Sequence, residues 1–333
     1  MAGEGRAWVE AALDEVRAHL ARRFAHLADL RLMPSDTRVS GKLLRPRLLL
    51  TVAATRGADV PTSRAVAMAS AVEMVHLATL HHDDVLDDAP HRRRAMSVRE
   101  TFGNKASILF GDALVAGALE IVLRSANRRM QLCLVHAVTA TLRGEVEQHL
   151  GHRVLELSPV ECVRVARLKT GSLFALSARL GAMLGGGDGS AAAIAARMGR
   201  RLGTAYQLID DALDYAGSPD LLGKDPGADY RQGIATLPLV RAWRASSDGD
   251  RRILQAGFGQ EAPGDFATVR EIVLRREHFE SCLASARRYL RGALDDLRTV
   301  ALDGASPPLR EYIAEVERRV PDPDHVRLSR ARR

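Results

Sequence analysis

Two stretches of the chain repeat the pattern Asp-Asp-x-x-Asp: Asp83, Asp84 and Asp87 in the first, Asp210, Asp211 and Asp214 in the second. On a helix the outer members of each set stand one turn apart and project side by side. Like charges about 6 Å apart repel by on the order of 3 kcal/mol at an effective dielectric of about 20. Each cluster also closes an apolar segment, where a helix end carries partial negative charge and adds to the repulsion. One acidic cluster is readily explained as the solvated start of a loop. Two with the same spacing call for a cation held by hard oxygens. Magnesium fits, because it takes one or two carboxylates and completes its shell with water and substrate phosphate oxygens.

Basic residues stand close to these carboxylates or upstream of them. Arg92, Arg93 and Arg94 follow the first cluster, and Lys42 and Arg45 share a helix face within Gly41-Lys42-Leu43-Leu44-Arg45-Pro46. Guanidinium forks suit phosphate oxygens. Either group alone is a common solvated surface. Beside carboxylate sets that draw in phosphate through metal, they describe a site for two anionic substrates.

The elements that must position these groups are helices. Residues 62–82 are apolar nearly all round and follow Pro61, with Thr62 and Ser63 as capping candidates, so the pattern predicts a buried helix that ends at the first cluster. Residues 6–30 read as an amphipathic opening helix, and Ser158-Pro159-Val160-Glu161 combines an N-cap, a proline at the first helical position and a capping-box acid. Further helices are expected over 107–124, 130–150, 159–184, 191–215 and 267–297, with a hairpin break at Gly185 to Gly189. With Ala, Leu and Arg abundant and aromatics only 4% of the chain, the fold class reads as all-α. No Pro/Ser-rich linker divides the 333 residues, so one large domain is expected over 1–320, followed by a frayed basic tail over 321–333.

Cys133, Cys162 and Cys282 are odd in number and far apart, which suggests neither a disulfide framework nor a zinc site and fits a reducing compartment. The N-terminal residues lack a long apolar core, and no stretch of about 18 apolar residues is free of charge, so neither a signal peptide nor a transmembrane helix is expected. A cytoplasmic location follows as the expectation. The net charge of +7 points to acidic partners without choosing among them. Nucleic acid is disfavoured by the doubled acidic clusters and by an arginine-rich tail with no interleaved aromatics for base stacking.

From Gly41 to Pro238 the chain resembles the trans-isoprenyl diphosphate synthases, polyprenyl diphosphate synthases among them. Gly41-Lys42-Leu43-Leu44-Arg45-Pro46 resembles the family's G-K-x-x-R-P, and Glu73-Met74-Val75-His76 its E-x-x-H. The resemblance implies that Lys42, Arg45 and His76 bind the diphosphate of isopentenyl diphosphate. The stretch Asp83 to Arg93 resembles the first aspartate-rich motif, with Asp83 and Asp87 as magnesium ligands, Asp84 assisting, Arg92 on the allylic diphosphate and Arg93 on the isopentenyl one. Gly103-Asn104-Lys105 and Gly111-Asp112 match the following helix, and Gly144-Glu145 to Gln148 resembles G-E-x-x-Q. Lys169-Thr170 resembles the pair that binds the allylic diphosphate. Gln207 with Asp210, Asp211 and Asp214 resembles the second aspartate-rich motif, and Lys224 a further allylic-diphosphate lysine. The implied fold is a single helical bundle of the isoprenoid synthase type with a central substrate cavity. The implied assembly is a homodimer, and the implied reaction is Mg2+-dependent condensation of isopentenyl diphosphate with an allylic diphosphate.

The chain departs from that pattern at Arg94, where Gly is usual, at Met96-Ser97, where Pro-Thr is usual, at Leu43, and at Ile234, where a lysine is common. Small residues at Ala78 and Thr79, five and four before Asp83, imply by the same resemblance a deep tunnel floor and a geranylgeranyl or longer product. A terpene cyclase is the nearest other enzyme, but it has no use for the second diphosphate that Lys42, Arg45 and His76 would hold. A non-catalytic subunit of a heteromeric synthase is hinted at by Ile234 and Arg94, although such subunits usually lose an aspartate motif and both are intact here.

Overall fold

In the computed structural model, described residues are 2–29, 41–55, 60–87, 91–92, 95–125, 127–217, 226–260, 265–299 and 307–322. Among them are fifteen helices and one pair of two-residue strands, His91–Arg92 and Ala95–Met96, with His91 opposite Met96 and Arg92 opposite Ala95. The fold is all-α. The chain forms two compact units, one of residues 1–139, 173–199 and 295–312, the other of 140–172, 200–294 and 313–333.

The first unit is built on α3 (Thr62–Leu86), which packs against α1 (Ala2–Asp29), α2 (Leu44–Ala54) and α5 (Asn104–Arg124), with the short α4 (Val98–Phe102) leading into α5. Because α3 has apolar or small residues on almost every side, Ala65, Met68, Ala69, Val72, Met74 and Val75 are all buried, as its composition predicts. Close approach is set by glycines. A Cβ at Gly117 would lie 2.6 Å from the Met74 methyl, and one at Gly181, on α8 (Gly171–Leu184), would strike the Leu49 carbonyl of α2. The Trp8 indole donates to Thr62 Oγ1 at 3.0 Å, tying α1 to the start of α3.

The second unit holds the end of α6 (Arg128–Leu150), then α7 (Pro159–Lys169) and the C-terminal half of α9 (Gly189–Ala216). It also holds α10 (Ala228–Arg231), α11 (Leu237–Ala245), α12 (Asp248–Ala256), α13 (Phe266–Val273), most of α14 (Arg276–Thr299) and the end of α15 (Pro307–Glu317). At the start of α7 the capping box is complete: Ser158 Oγ accepts from the Glu161 amide and the Glu161 carboxylate accepts from the Ser158 amide. The segment 159–184 is two helices rather than one, because Thr170 closes α7 and α8 begins at Gly171. A second division falls at 274–275, between α13 and α14. The first buried helix runs past residue 82, carrying Asp83 and Asp84 inside it and Asp87 as its C-cap.

Candidate active site

In the first unit the first cluster leaves α3 with helical geometry intact, the Asp87 amide donating to the Asp83 carbonyl at 2.8 Å. Asp83 is half-buried and Asp87 exposed, so two carboxylates one turn apart meet solvent together, whereas Asp84 turns inward and is 1% exposed. This end of α3 is fixed to α5. Ser107 Oγ donates to the His81 carbonyl at 2.9 Å, and the His82 ring lies 3.3 Å from Asp112 and from the Ile108 carbonyl. Gly111 leaves the space that ring fills, since a Cβ there would overlap its Nε2. Lys42 is exposed, and Arg45, in the first turn of α2, stacks over the Phe174 ring at 5.1 Å. Leu43, one of the departures from the family pattern, is the left-handed residue that starts this helix (φ 47°). His76 is half-buried, Ala78 is buried, and the Thr79 hydroxyl is spent on the His76 carbonyl at 2.7 Å. Arg92 sits in the first short strand; its side chain, Arg93 and Arg94 lie outside the described residues, as does Lys224.

In the second unit several of the predicted residues are joined by hydrogen bonds. Thr170 Oγ1 donates to Gln207 Oε1 at 2.6 Å, and Gln207 Nε2 donates to Asp211 Oδ1 at 2.9 Å. Lys169 pairs with Glu145 at 2.6 Å. Two glycines permit this crowding. A Cβ at Gly144 would lie 2.7 Å from the Lys169 backbone nitrogen, and one at Gly171 would lie 3.0 Å from Thr204 Oγ1 of α9. The Arg164 fork on Glu147, 2.8 Å on each arm, holds α7 to the end of α6. Arg270 caps the carbonyl end of α9 through Tyr215 O at 2.6 Å and through Ala216 O and Gly217 O at 3.3 Å, placing positive charge where the helix dipole is negative.

The three carboxylates of the second cluster have three different environments. Asp210 is half-exposed and pairs with Arg319 at 2.6 Å. Asp211 is buried, and burial first, then the charges of Asp210 and Asp214, push its carboxyl up to about 7 against the pull of Gln207 and Lys169. Asp214, 3% exposed, accepts the Ala228 amide at 3.3 Å and the Asp229 amide at 3.1 Å, holding the start of α10. Among the described residues no three of His, Cys, Asp and Glu form a closed metal cage. An ion held by one or two carboxylates and by substrate phosphate oxygens needs none, and Asp83 with Asp87, and Asp210, suit magnesium in donor chemistry.

Beside this network lies a cavity of about 410 Å³. Lys169, Gln207 and Asp211 are among its polar residues, together with Glu147, Glu161 and Arg164, while Val154, Leu157, Val165 and Ala166 are among its apolar ones. Ile234, the most consequential departure from the family pattern, lines the same cavity and donates its amide to the Asp229 carbonyl at 2.8 Å. The sequence flags Glu145 and Lys169 but not their pairing. It gives no signal for Arg319 on Asp210, a pair separated by 109 residues.

A helical enzyme that arranges aspartates, lysine and glutamine for diphosphates is the class this architecture defines. The pattern of the polyprenyl synthetase family matches residues 31–273, and the chain belongs to that family, the trans-polyprenyl diphosphate synthase type of prenyltransferase. Among curated relatives it is 36% identical to octaprenyl diphosphate synthase of Haemophilus influenzae, over 66% of this chain and 66% of that one. It is also 36% identical to nonaprenyl diphosphate synthase of Mycobacterium tuberculosis, over 72% of this chain and 73% of that one. Among solved structures, a polyprenyl synthase from Caulobacter crescentus, complexed with calcium and isoprenyl diphosphate, superposes with a TM-score of 0.80 at 29% identity, covering 94% of this chain and 97% of that one.

Proposed function

We propose that the chain is a long-chain trans-polyprenyl diphosphate synthase that joins isopentenyl diphosphate head to tail to an allylic diphosphate, with magnesium as its metal. The observation that carries this reading is the cavity on which Lys169, Gln207 and Asp211 stand beside apolar side chains. Such a wall suits a ligand with an anionic head and a hydrocarbon body.

Magnesium bound at the aspartate clusters would supply Lewis-acid charge to the leaving diphosphate. Asp83 and Asp87 would hold an ion at the first cluster and Asp210 one at the second. Lys169, with Lys224 and Arg92 by family resemblance, would stabilise negative charge that grows as the allylic carbon-oxygen bond breaks, a contribution made in the transition state rather than in the bound substrate. Lys42, Arg45 and His76 would hold isopentenyl diphosphate so that its double bond attacks the allylic cation; the departing pyrophosphate then takes the proton. Apolar helix walls exclude water from that cation.

A cytoplasmic homodimer belongs to the same reading. Its support is the unpaired, buried thiols of Cys162 and Cys282 and a stripe of exposed Leu132, Val135, Leu142, Val146 and Leu150 along α6. The deciding assay incubates the protein and magnesium with labelled isopentenyl diphosphate and geranyl, farnesyl or geranylgeranyl diphosphate, then separates the products by chain length. Elongation that falls at least 100-fold in Asp83→Ala is the expected result. Folded protein that elongates no primer would move the reading to a cyclase or a partner-dependent subunit. Replacing Ala78 with Phe should shorten the product; an unchanged length would remove Ala78 from the tunnel floor.

A further inference from the structure

Asp210, in the second cluster, hydrogen-bonds a charged guanidinium, that of Arg319. Arg319, in the turn that follows α15, lies 4.2 Å above the Tyr206 ring and donates Nη2 to Asp210 Oδ1 at 2.6 Å. Tyr206 and Asp210 are one turn apart on α9, so a single face of that helix offers both a π-face and a carboxylate to the same cation. The turn is itself held, with the Arg319 amide donating to the Val316 carbonyl at 3.2 Å and the Val320 amide to the Glu317 carbonyl at 2.9 Å. The Arg319 side chain is 28% exposed, which leaves the pair reachable by solutes.

We propose that Arg319 is a resident cation that occupies Asp210 until metal arrives, so that the chain after α15 and the metal compete for one carboxylate. This rests on the reading above that Asp210 is a metal ligand. A divalent ion and a guanidinium on the same carboxylate repel each other, so metal loading drives Arg319 off Asp210 and loosens the hold of the segment after α15 on α9. The Tyr206 ring remains as a landing place for the guanidinium, which keeps the displacement short and reversible.

The test is binding of Mn2+ alone to the full chain, followed by electron paramagnetic resonance, for wild type, Arg319→Gln, Asp210→Asn and the double variant. Arg319→Gln is expected to bind three- to tenfold more tightly, and the gain should vanish when Asp210→Asn is added. Unchanged or weaker binding by Arg319→Gln, with Asp210→Asn still weakened, overturns the competition and leaves the metal assignment standing. Unchanged binding by Asp210→Asn alone overturns both. Hydrogen exchange of the unaltered protein supplies a measurement independent of any variant's folding: amides in 313–322 should exchange severalfold faster with Mn2+, and no change overturns the proposal.

Discussion

At the scale of single residues, the second aspartate cluster shows how one motif divides its labour. Asp210 faces a cation, Asp214 holds backbone amides, and Asp211 sits buried with its carboxyl raised to about 7. A raised carboxyl in the folded state takes up a proton that the unfolded chain releases near pH 4. The stability it contributes is therefore full below about pH 4 and is lost as pH rises from there through about 7. Asp211→Asn should leave metal-free stability unchanged at about pH 3, below the carboxyl's unfolded value, and raise it by on the order of 2 kcal/mol at about pH 8.5, less than the whole shift implies because Asp211 is coupled to the charges beside it. Urea denaturation at the two pH values measures this, and equal gains at both would show that Asp211 is not the titrating group. The carboxylates themselves are legible in the sequence, since i, i+4 repulsion needs only spacing. The long-range pairings are not, because Glu145 on Lys169 and Arg319 on Asp210 are fixed by tertiary packing that leaves no local pattern.

Helices set the positions of these groups, and glycines set how closely the helices approach. A methyl at Gly144 meets the Lys169 backbone, which cannot swing aside, whereas one at Gly111 meets only the far edge of the His82 ring. Gly144→Ala should therefore cost about 1–3 kcal/mol and most of the activity, while Gly111→Ala should cost less of each. Thermal melts and the condensation assay on both variants check the order, and the reverse order would show that His82 cannot move. Most helices were readable from periodicity and caps, with these ends displaced by one to three residues: 107–124 begins at Asn104, and 191–215 runs from Gly189 to Ala216. The divisions at Thr170 and at 274–275 were not readable. No proline marks either one, and at Thr170 the break serves contacts with Gln207 and Gly171's approach to α9, which are invisible to a local pattern.

For the whole molecule, composition alone identified an all-helical chain, and the family match over residues 31–273 agrees. Among the described residues α5 is long and apolar enough to cross a membrane by length and composition, although Asp112 and Glu120 stand within it. Its buried Phe110, Leu114, Ala118, Ile121 and Val122 belong to the core cluster shared with α3, while Ile108, Leu109 and Leu123 are exposed. The same helix holds the first aspartate cluster, through Ser107 on the His81 carbonyl and Asp112 beside His82. Ile108 takes part in both roles, its side chain outward and its carbonyl beside the His82 ring. A partner seated on this edge would act as a brace for the turn that carries Asp83 and Asp87, making the working unit larger than the folding unit. Specific activity should then fall severalfold on dilution below the dimer dissociation constant while circular dichroism stays constant, and activity strictly proportional to concentration through that range would assign α5 to support alone.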